Sequence, residues 1–152
     1  MTHFIPQTID AKGRCSIPAA FRDDLTAIAG GEPMVLVWTP IQDCLALYSR
    51  KDWQPYQEKL DRIDDFDVDR AAVKDTMLAC QMEIDPETLG ERLLIPEGLR
   101  DMAGLEKDIV FTLRARVLQI WDKTRWQGNV ERARRAFRMK PEEKAVNFWE
   151  GL

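Results

Sequence analysis

The chain reads IDAKGRCSIPAAFR over residues 9–22 and IDPETLGERLLIPEGLR over residues 84–100. Both stretches contain Arg-x-x-Ile-Pro-x-x-x-Arg with identical spacing, and the second copy starts 78 residues after the first. Each unit also ends alike, with LALY leading to Trp53 and LQIW leading to Trp126. A shared motif followed by a shared ending indicates two tandem copies of one structural unit.

Turn and strand signals place the elements of each unit. Lys12-Gly13 forms a turn signal between two short segments that favour strands. Pro18 suits the first turn of a helix, because the N–H that it lacks would be unpaired there, and Gly30-Gly31 ends that helix. The second unit repeats this pattern, with a helix from Pro96 to Gly104. The predicted strands are 7–9, 15–17, 34–38 and 44–48 in the first unit, and 82–84, 93–95, 109–111 and 117–121 in the second.

One unit alone, with four short strands and one helix, is small for a self-sufficient core. The fold predicted from the residues is therefore α+β, with the two units interleaving their strands in one closed β-barrel that leaves no exposed edge. Apolar residues at helical spacing predict helices between and after the units. The predicted organisation is a first repeat at 1–53, an acidic helical linker at 54–80, a second repeat at 81–126 and a basic helical tail at 127–152, with a last helix at 142–149.

Composition excludes several classes of protein. The 152 residues are 45% hydrophobic and 32% charged, which is typical of a globular protein. The longest clean apolar run, 34–38, is far shorter than the roughly 20 residues of a membrane span, and the N-terminus lacks the pattern of a signal peptide. We therefore expect a cytoplasmic protein without a membrane partner. Three widely spaced cysteines and one histidine argue against a disulfide scaffold and against a metal site.

The distribution of charge matters more than the net charge of −4. Residues 56–83 hold eight acids against four bases, whereas 127–152 hold six bases against four acids. An acidic protein is an unusual partner for nucleic acid. Because the acidity is concentrated in one central segment, a local basic patch elsewhere stays possible.

The first loop offers chemistry that suits nucleic acid. Gly13 permits a positive φ and close approach of the backbone, while Lys12 and Arg14 project cations. An arginine can fork onto a phosphate or onto the O6/N7 edge of guanine, and Asp10 is placed to hold Arg14 by an ion pair. The alternative is a plain hairpin with a surface salt bridge, worth about 0–1 kcal/mol.

The second loop departs from the first. Glu91 stands at the position of Gly13, and Gly90 at that of Lys12, so Arg92 is the one clear counterpart. A positive φ would be costly for Glu91. We therefore predict a different path for this loop.

The other charged and aromatic residues do not by themselves indicate a function. The arginines at 132–138 form either a solvated helix face or a contact for nucleic acid or an acidic partner. The aspartates at 64–69 lack the glycine and terminal glutamate of a calcium loop, and the five tryptophans are predicted to pack in the core or at interfaces. No catalytic motif is found, which predicts a protein that is not an enzyme and uses no cofactor, metal or small-molecule substrate.

The duplicated motif and its endings closely resemble the bacterial MraZ family, from about Phe4 to Trp126. The resemblance implies a double-split, swapped-hairpin barrel of two SpoVT/AbrB-like repeats with peripheral helices. It implies a sequence-specific regulator of transcription that binds double-stranded DNA. Its function would be repression of the division and cell wall gene cluster, its own promoter included. It further implies ring-shaped homo-oligomers associated with the nucleoid. By the same resemblance the residues of the DNA-reading loops are Asp10, Lys12, Gly13, Arg14 and Arg92, while Arg22 and Arg100 match a structural arginine.

Two other classes of function compete with this interpretation. The chain could be an oligomeric scaffold or protein-interaction module without operator binding, and the divergence of the second loop is the feature that favours it. An AbrB-like antitoxin would need a single unit and a toxin-binding tail, and the tandem repeat argues against it.

Overall fold

The computed structural model describes residues 3–138, which form eight β-strands, five α-helices and one 3₁₀ helix. The strands are β1 (Phe4–Thr8), β2 (Arg14–Ser16), β3 (Met34–Thr39), β4 (Cys44–Ser49), β5 (Gln81–Ile84), β6 (Arg92–Leu94), β7 (Asp108–Arg114) and β8 (Val117–Asp122). The helices are α1 (Ala19–Ala29), α2 (Arg50–Asp61), α3 (Val68–Ala79), the 3₁₀ helix (Pro86–Gly90), α4 (Glu97–Ala103) and α5 (Lys123–Arg138).

The two units share one antiparallel sheet, with strand order β1-β7-β8-β4-β3-β5. The first strand of each unit pairs with the third strand of the other, as β1 with β7 and β5 with β3. The fourth strands, β4 and β8, pair at the centre, and the second strands, β2 and β6, pair separately. This confirms the predicted α+β class and the interleaving of two tandem units.

The prediction of a closed barrel is wrong for the sheet that the structure shows. Its six strands end at β1 on one side and at β5 on the other, and within residues 3–138 these two strands do not pair with each other. The strands β2 and β6, which would have to join them, form their own two-stranded ribbon. Hydrogen bonding therefore leaves the sheet open.

The register relates the two units by an approximate twofold axis. In the β2–β6 ribbon Cys15 lies opposite Leu93, and in the central pair Ala46 lies opposite Gln119. Each pair joins positions that correspond in the sequence repeat. A pairing of equivalent positions is what a twofold axis produces, so the repeat in the sequence is also a repeat in space.

The main core is built by both units together. In α1, Phe21 and Leu25 lie four residues apart and are fully buried, as helical periodicity predicts. They share one cluster with Ile95 and Phe111 of the second unit. Each such side chain contributes about 1.5–3 kcal/mol by leaving water. Neither unit could bury this surface alone, which explains why the strands interleave.

The linker contains most of α2 and all of α3, joined by turns at 62–67, and the described part of the tail belongs to α5. Asp67 caps α3 by accepting a hydrogen bond from the Arg70 amide, and Asp65 forms an ion pair of 3.1 Å with Lys74. Asp64 accepts a hydrogen bond of 2.9 Å from the Phe66 amide, so three of the four aspartates at 64–69 have structural partners. The predicted helix at 142–149 lies outside the described residues. Within 3–138, no helix combines the length and the apolar character that crossing a bilayer requires.

Candidate nucleic-acid interface

The first loop is a tight turn organised by one carboxylate. Asp10 Oδ1 accepts hydrogen bonds from the backbone amides of Lys12 and Arg14, both at 2.9 Å, and Oδ2 accepts from Arg14 Nε at 2.8 Å. The Asp10 carbonyl accepts from the Gly13 amide at 3.0 Å. The predicted ion pair is therefore present. This contact fixes the guanidinium group of Arg14 at Nε, while the Arg14 side chain is 44% exposed.

Gly13 is required at its position for two independent reasons. Its φ is +88°, in the left-handed region that favours glycine. A Cβ there would lie 2.4 Å from the Ile95 carbonyl oxygen and 2.8 Å from Arg100 Nε. The Gly13 carbonyl also accepts a hydrogen bond of 2.8 Å from the Ile95 amide. The turn of the first unit is thereby pressed against the second unit.

The hydrogen bonds around Asp10 change its acidity. The Arg14 amide, followed by the Arg14 side chain and the Lys12 amide, lowers the pKa of the Asp10 carboxyl from 3.8 to about 2. Because the folded-state pKa lies below the unfolded value, the stabilising effect is complete above about pH 4 and is lost as the pH falls through about 2.

We expect a carboxyl ¹³C NMR titration of Asp10 to show a midpoint near 2. Arg14→Ala keeps the backbone amide, which is the largest cause of the shift, so the midpoint should rise only part of the way toward 3.8. A wild-type midpoint at or above 3.8 would show that the turn does not hold this carboxylate in solution.

The second loop takes a different path, as predicted. Its extra residues form the 3₁₀ helix, in which Leu89 is buried in the main core. Glu91 has an extended backbone, with φ −118° where Gly13 has +88°. Asp85 makes no side-chain capping bond. The second loop thus lacks the turn that organises the first.

Arg92 turns toward the first loop. Its Nη1 lies 3.8 Å from Asp10 Oδ2, and its side chain is 64% exposed. One carboxylate therefore faces guanidinium groups from both units: Arg14 in close contact and Arg92 more loosely. The structure brings together Asp10, Arg14 and Arg92, which the sequence analysis treated as parts of two separate loops.

The β2–β6 ribbon presents Arg14 and Arg92 to solvent, together with Leu94, which is 55% exposed. Strand alternation points Arg14 and Arg92 outward, and it buries Cys15 and Leu93 beneath them. Burial raises the pKa of the Cys15 thiol to about 12, so it remains a neutral core side chain. Both loop arginines consequently stand on the same surface.

Arg22 and Arg100 have equivalent structural roles. Arg22 Nε donates to the Ile17 carbonyl and Arg100 Nε to the Ile95 carbonyl, each at 3.0 Å. Both arginines are half-buried. They hold the strand that precedes each helix, which agrees with the structural role that the resemblance implies for them.

The sequence analysis missed Lys107. Its carbonyl accepts a hydrogen bond of 2.9 Å from the Ile9 amide, just beyond the β1–β7 pairing. This places an exposed lysine of the second unit beside the first loop. No local motif marks it, because only the long-range pairing of β1 with β7 brings it there.

The remaining candidates give less information about function. Arginines 132–138 are exposed on α5, where Arg134 lies 3.7 Å from Glu131. Trp53 and Trp121 are buried, as predicted, whereas Trp149 lies outside the described residues. In the described part of the chain, no three His, Cys, Asp or Glu side chains group in a way that could hold a metal ion.

Comparison with known proteins identifies the family. A family model described as "MraZ protein, putative antitoxin-like" matches residues 3–76 and again residues 77–148. Three curated relatives share the name Transcriptional regulator MraZ. The protein of Thiobacillus denitrificans is 31% identical over 126 residues, 83% of each chain. Those of Acetivibrio thermocellus and Lachnoclostridium phytofermentans are 35% and 38% identical over 121 and 122 residues, 80% of each chain.

Proposed function

The chain belongs to the MraZ family, and from this premise we propose that it is a transcriptional regulator that binds specific double-stranded DNA through its first loop. The observation that carries the proposal is the fixed, half-exposed Arg14 beside Gly13. The names of the relatives are those of a regulator and not of an enzyme, which supports a role without catalysis.

The geometry of the first loop suits recognition of a base edge. Arg14 Nε donates to Asp10, so the two terminal nitrogens of the guanidinium are left to donate a pair of hydrogen bonds to a ligand. A fork of this kind can contact O6 and N7 of guanine in the major groove or two oxygens of a phosphate. Lys12 is exposed on the same turn and suits a phosphate contact. Because Asp10 orients the guanidinium before binding, little of its freedom is lost on contact.

The finer parts of the proposal rest on the family resemblance. We propose that the protein represses the division and cell wall gene cluster, its own promoter included, and works in the cytoplasm on the nucleoid. The swapped-hairpin architecture belongs to the same proposal. So does the division into repeats at 1–53 and 81–126, joined by the linker 54–80 and followed by the tail 127–152.

A ring-shaped homo-oligomer would reconcile DNA binding with a net charge of −4. Each subunit offers few cations, and several copies on one face multiply their effect through avidity. Exposed apolar side chains support assembly: Ile41 is 88% exposed, Phe66 92% and Val68 75%. Contacts between subunits would remove these side chains from water.

We expect light scattering after size exclusion to give a mass several times 17.6 kDa at micromolar concentration. The reason is the apolar surface that a single subunit leaves in water. A monodisperse monomer would contradict both the ring and the avidity argument.

A gel-shift assay against the DNA upstream of the protein's own gene tests the proposed function. We expect a shift that weakens with salt and that a scrambled duplex of equal length competes poorly. An oligomer that shifts neither duplex would favour the alternative, a scaffold without operator binding.

A further inference from the structure

A surface depression of about 350 Å³ lies beside the first loop, between β1 and the β2–β6 ribbon. Three cationic residues line it: Arg14 from the first unit, and Arg92 and Lys107 from the second. Among residues 3–138, Asp10 is the one acidic residue that lines it. Three cations against one carboxylate leave a net charge of +2 in a concave site. In an acidic protein, this is a local exception to the overall charge.

Most of the charge on Asp10 is already compensated within the turn. Two backbone amides and Arg14 Nε engage its oxygens at 2.8–2.9 Å. Arg92 approaches the same carboxylate only to 3.8 Å and is 64% exposed. A contact this loose and this exposed contributes little, so Arg92 is available to an anion that enters the depression.

Lys107 is held by its backbone and not by an acid. The hydrogen bond from the Ile9 amide fixes its carbonyl. In the part of the chain that the structure describes, no carboxylate forms an ion pair with its ammonium group. Its acidic neighbours in sequence, Glu106 and Asp108, do not line the depression. The lysine charge is therefore directed to solvent beside Arg14 and Arg92.

Neutral hydrogen-bonding side chains and two apolar residues, Ile9 and Cys15, complete the lining. Thr8 and Ser16 supply hydroxyl groups and Gln7 supplies an amide. Phosphate contacts in DNA complexes come from this set of groups, namely Arg and Lys together with Ser, Thr and Gln. The depression therefore has the charged and polar groups of a phosphate site, with Ile9 and Cys15 buried beneath them.

We propose that this depression binds one backbone phosphate of DNA, held by Arg92 and Lys107 together. The inference rests on the proposed function. It gives the second unit a positioning role in which Arg92 and Lys107 anchor the duplex. Arg14, fixed by Asp10, is left to read a base edge. In this proposal the divergent second loop still contacts DNA, but Arg92 binds a phosphate and does not read a base.

The test compares the salt dependence of DNA binding for Lys107→Gln, Arg92→Gln and the double variant. The probes are one duplex from the upstream region and one of scrambled sequence. We expect each single variant to bind both duplexes more weakly by the same factor, because a phosphate contact carries no sequence information. Since both residues hold one phosphate, the double variant should lose about 0.9 of the salt slope in total. When salt rises from about 50 to 200 mM, the affinity of the double variant should therefore fall by a factor roughly three times smaller than that of the wild type.

Two controls distinguish loss of this phosphate contact from a general loss of positive charge and from unfolding. Lys59→Gln removes an exposed lysine that lies over the Tyr56 ring on α2, outside the depression, and should leave affinity and slope unchanged. Thermal unfolding of all variants should match that of the wild type, since all three substituted residues are exposed.

Three outcomes would overturn the inference. If Lys107→Gln matches the wild type in both affinity and slope, Lys107 contacts no phosphate. If the double variant loses about 1.8 of slope, the two residues hold separate phosphates. If the wild type binds neither duplex, the proposed function itself is contradicted, and this result is distinct from the first two.

Discussion

Gly13→Ala should destabilise the protein by about 2–4 kcal/mol, the largest effect that we expect from a single methyl group. A positive φ costs an alanine roughly 1–2 kcal/mol. The new Cβ would also lie 2.4 Å from the Ile95 carbonyl oxygen, which is backbone and cannot turn away. Relief requires β2 to move from β6, at the expense of the hydrogen bond from the Ile95 amide, worth about 1 kcal/mol. Denaturant unfolding at one fixed protomer concentration measures the change.

Two other glycines provide matched controls. Gly30 has φ +61° and no atom within 4 Å of a Cβ, so Gly30→Ala isolates the cost of the positive φ. Gly90, in the second loop, has neither a positive φ nor a close neighbour, so Gly90→Ala should change stability by less than about 1 kcal/mol. If Gly13→Ala costs no more than Gly30→Ala, the close packing of the first turn against the second unit is not as described.

Arg14→Ala should weaken binding to the specific duplex by about 1–3 kcal/mol, a factor of roughly 5 to 150. The fold should be unaffected, because the side chain is 44% exposed and its backbone pairing remains. Arg14→Lys retains the charge but not the fork, so it should keep the salt slope while losing specific affinity. Fluorescence anisotropy over a series of salt concentrations measures the affinity and the salt slope of both variants.

Arg116 supplies the control for this prediction. Its Nε pairs with Asp52 Oδ2 at 2.7 Å and its side chain is 55% exposed, which reproduces the ion-pair geometry of Arg14 away from the first loop. Arg116→Ala should leave DNA affinity unchanged. A folded Arg14→Ala variant with wild-type affinity for the specific duplex would remove Arg14 from the reading of bases.

The local features of the fold follow from the sequence. The Arg-x-x-Ile-Pro-x-x-x-Arg repeat predicted two units too small to fold alone, and burial of Phe21 against residues of the second unit shows why they interleave. Lys12-Gly13 predicted the turn, and Glu91 predicted that the second loop would differ. In each case, the prediction depends on the conformational or packing preference of residues that are close together in the sequence. It does not require knowledge of which distant segment they contact.

What the sequence could not predict depends on long-range pairing. The first strand was predicted at 7–9, yet β1 starts at Phe4 and includes Pro6, because it is an end strand of the sheet, where a missing N–H is tolerated. The closed barrel failed because β2 and β6 pair with each other and do not join β1 to β5. The position of Lys107 beside the first loop and the contact of Arg92 with Asp10 could not be predicted for the same reason. Both arise where strands of different units meet.

In the proposed function the first loop carries most of the DNA contact, and a salt series on the upstream duplex tests this most directly. The variants are Lys12→Ala with Arg14→Ala, and Arg92→Ala alone. With a slope of about −0.9 per neutralised phosphate, removing Lys12, which contacts a phosphate, together with Arg14, which reads a base edge, should flatten the dependence by about 0.9. Arg92→Ala should flatten it by much less than about 0.9, because Lys107 remains at the same phosphate. Equal losses of slope, or a larger loss for Arg92→Ala, would show that the second loop binds DNA as strongly as the first.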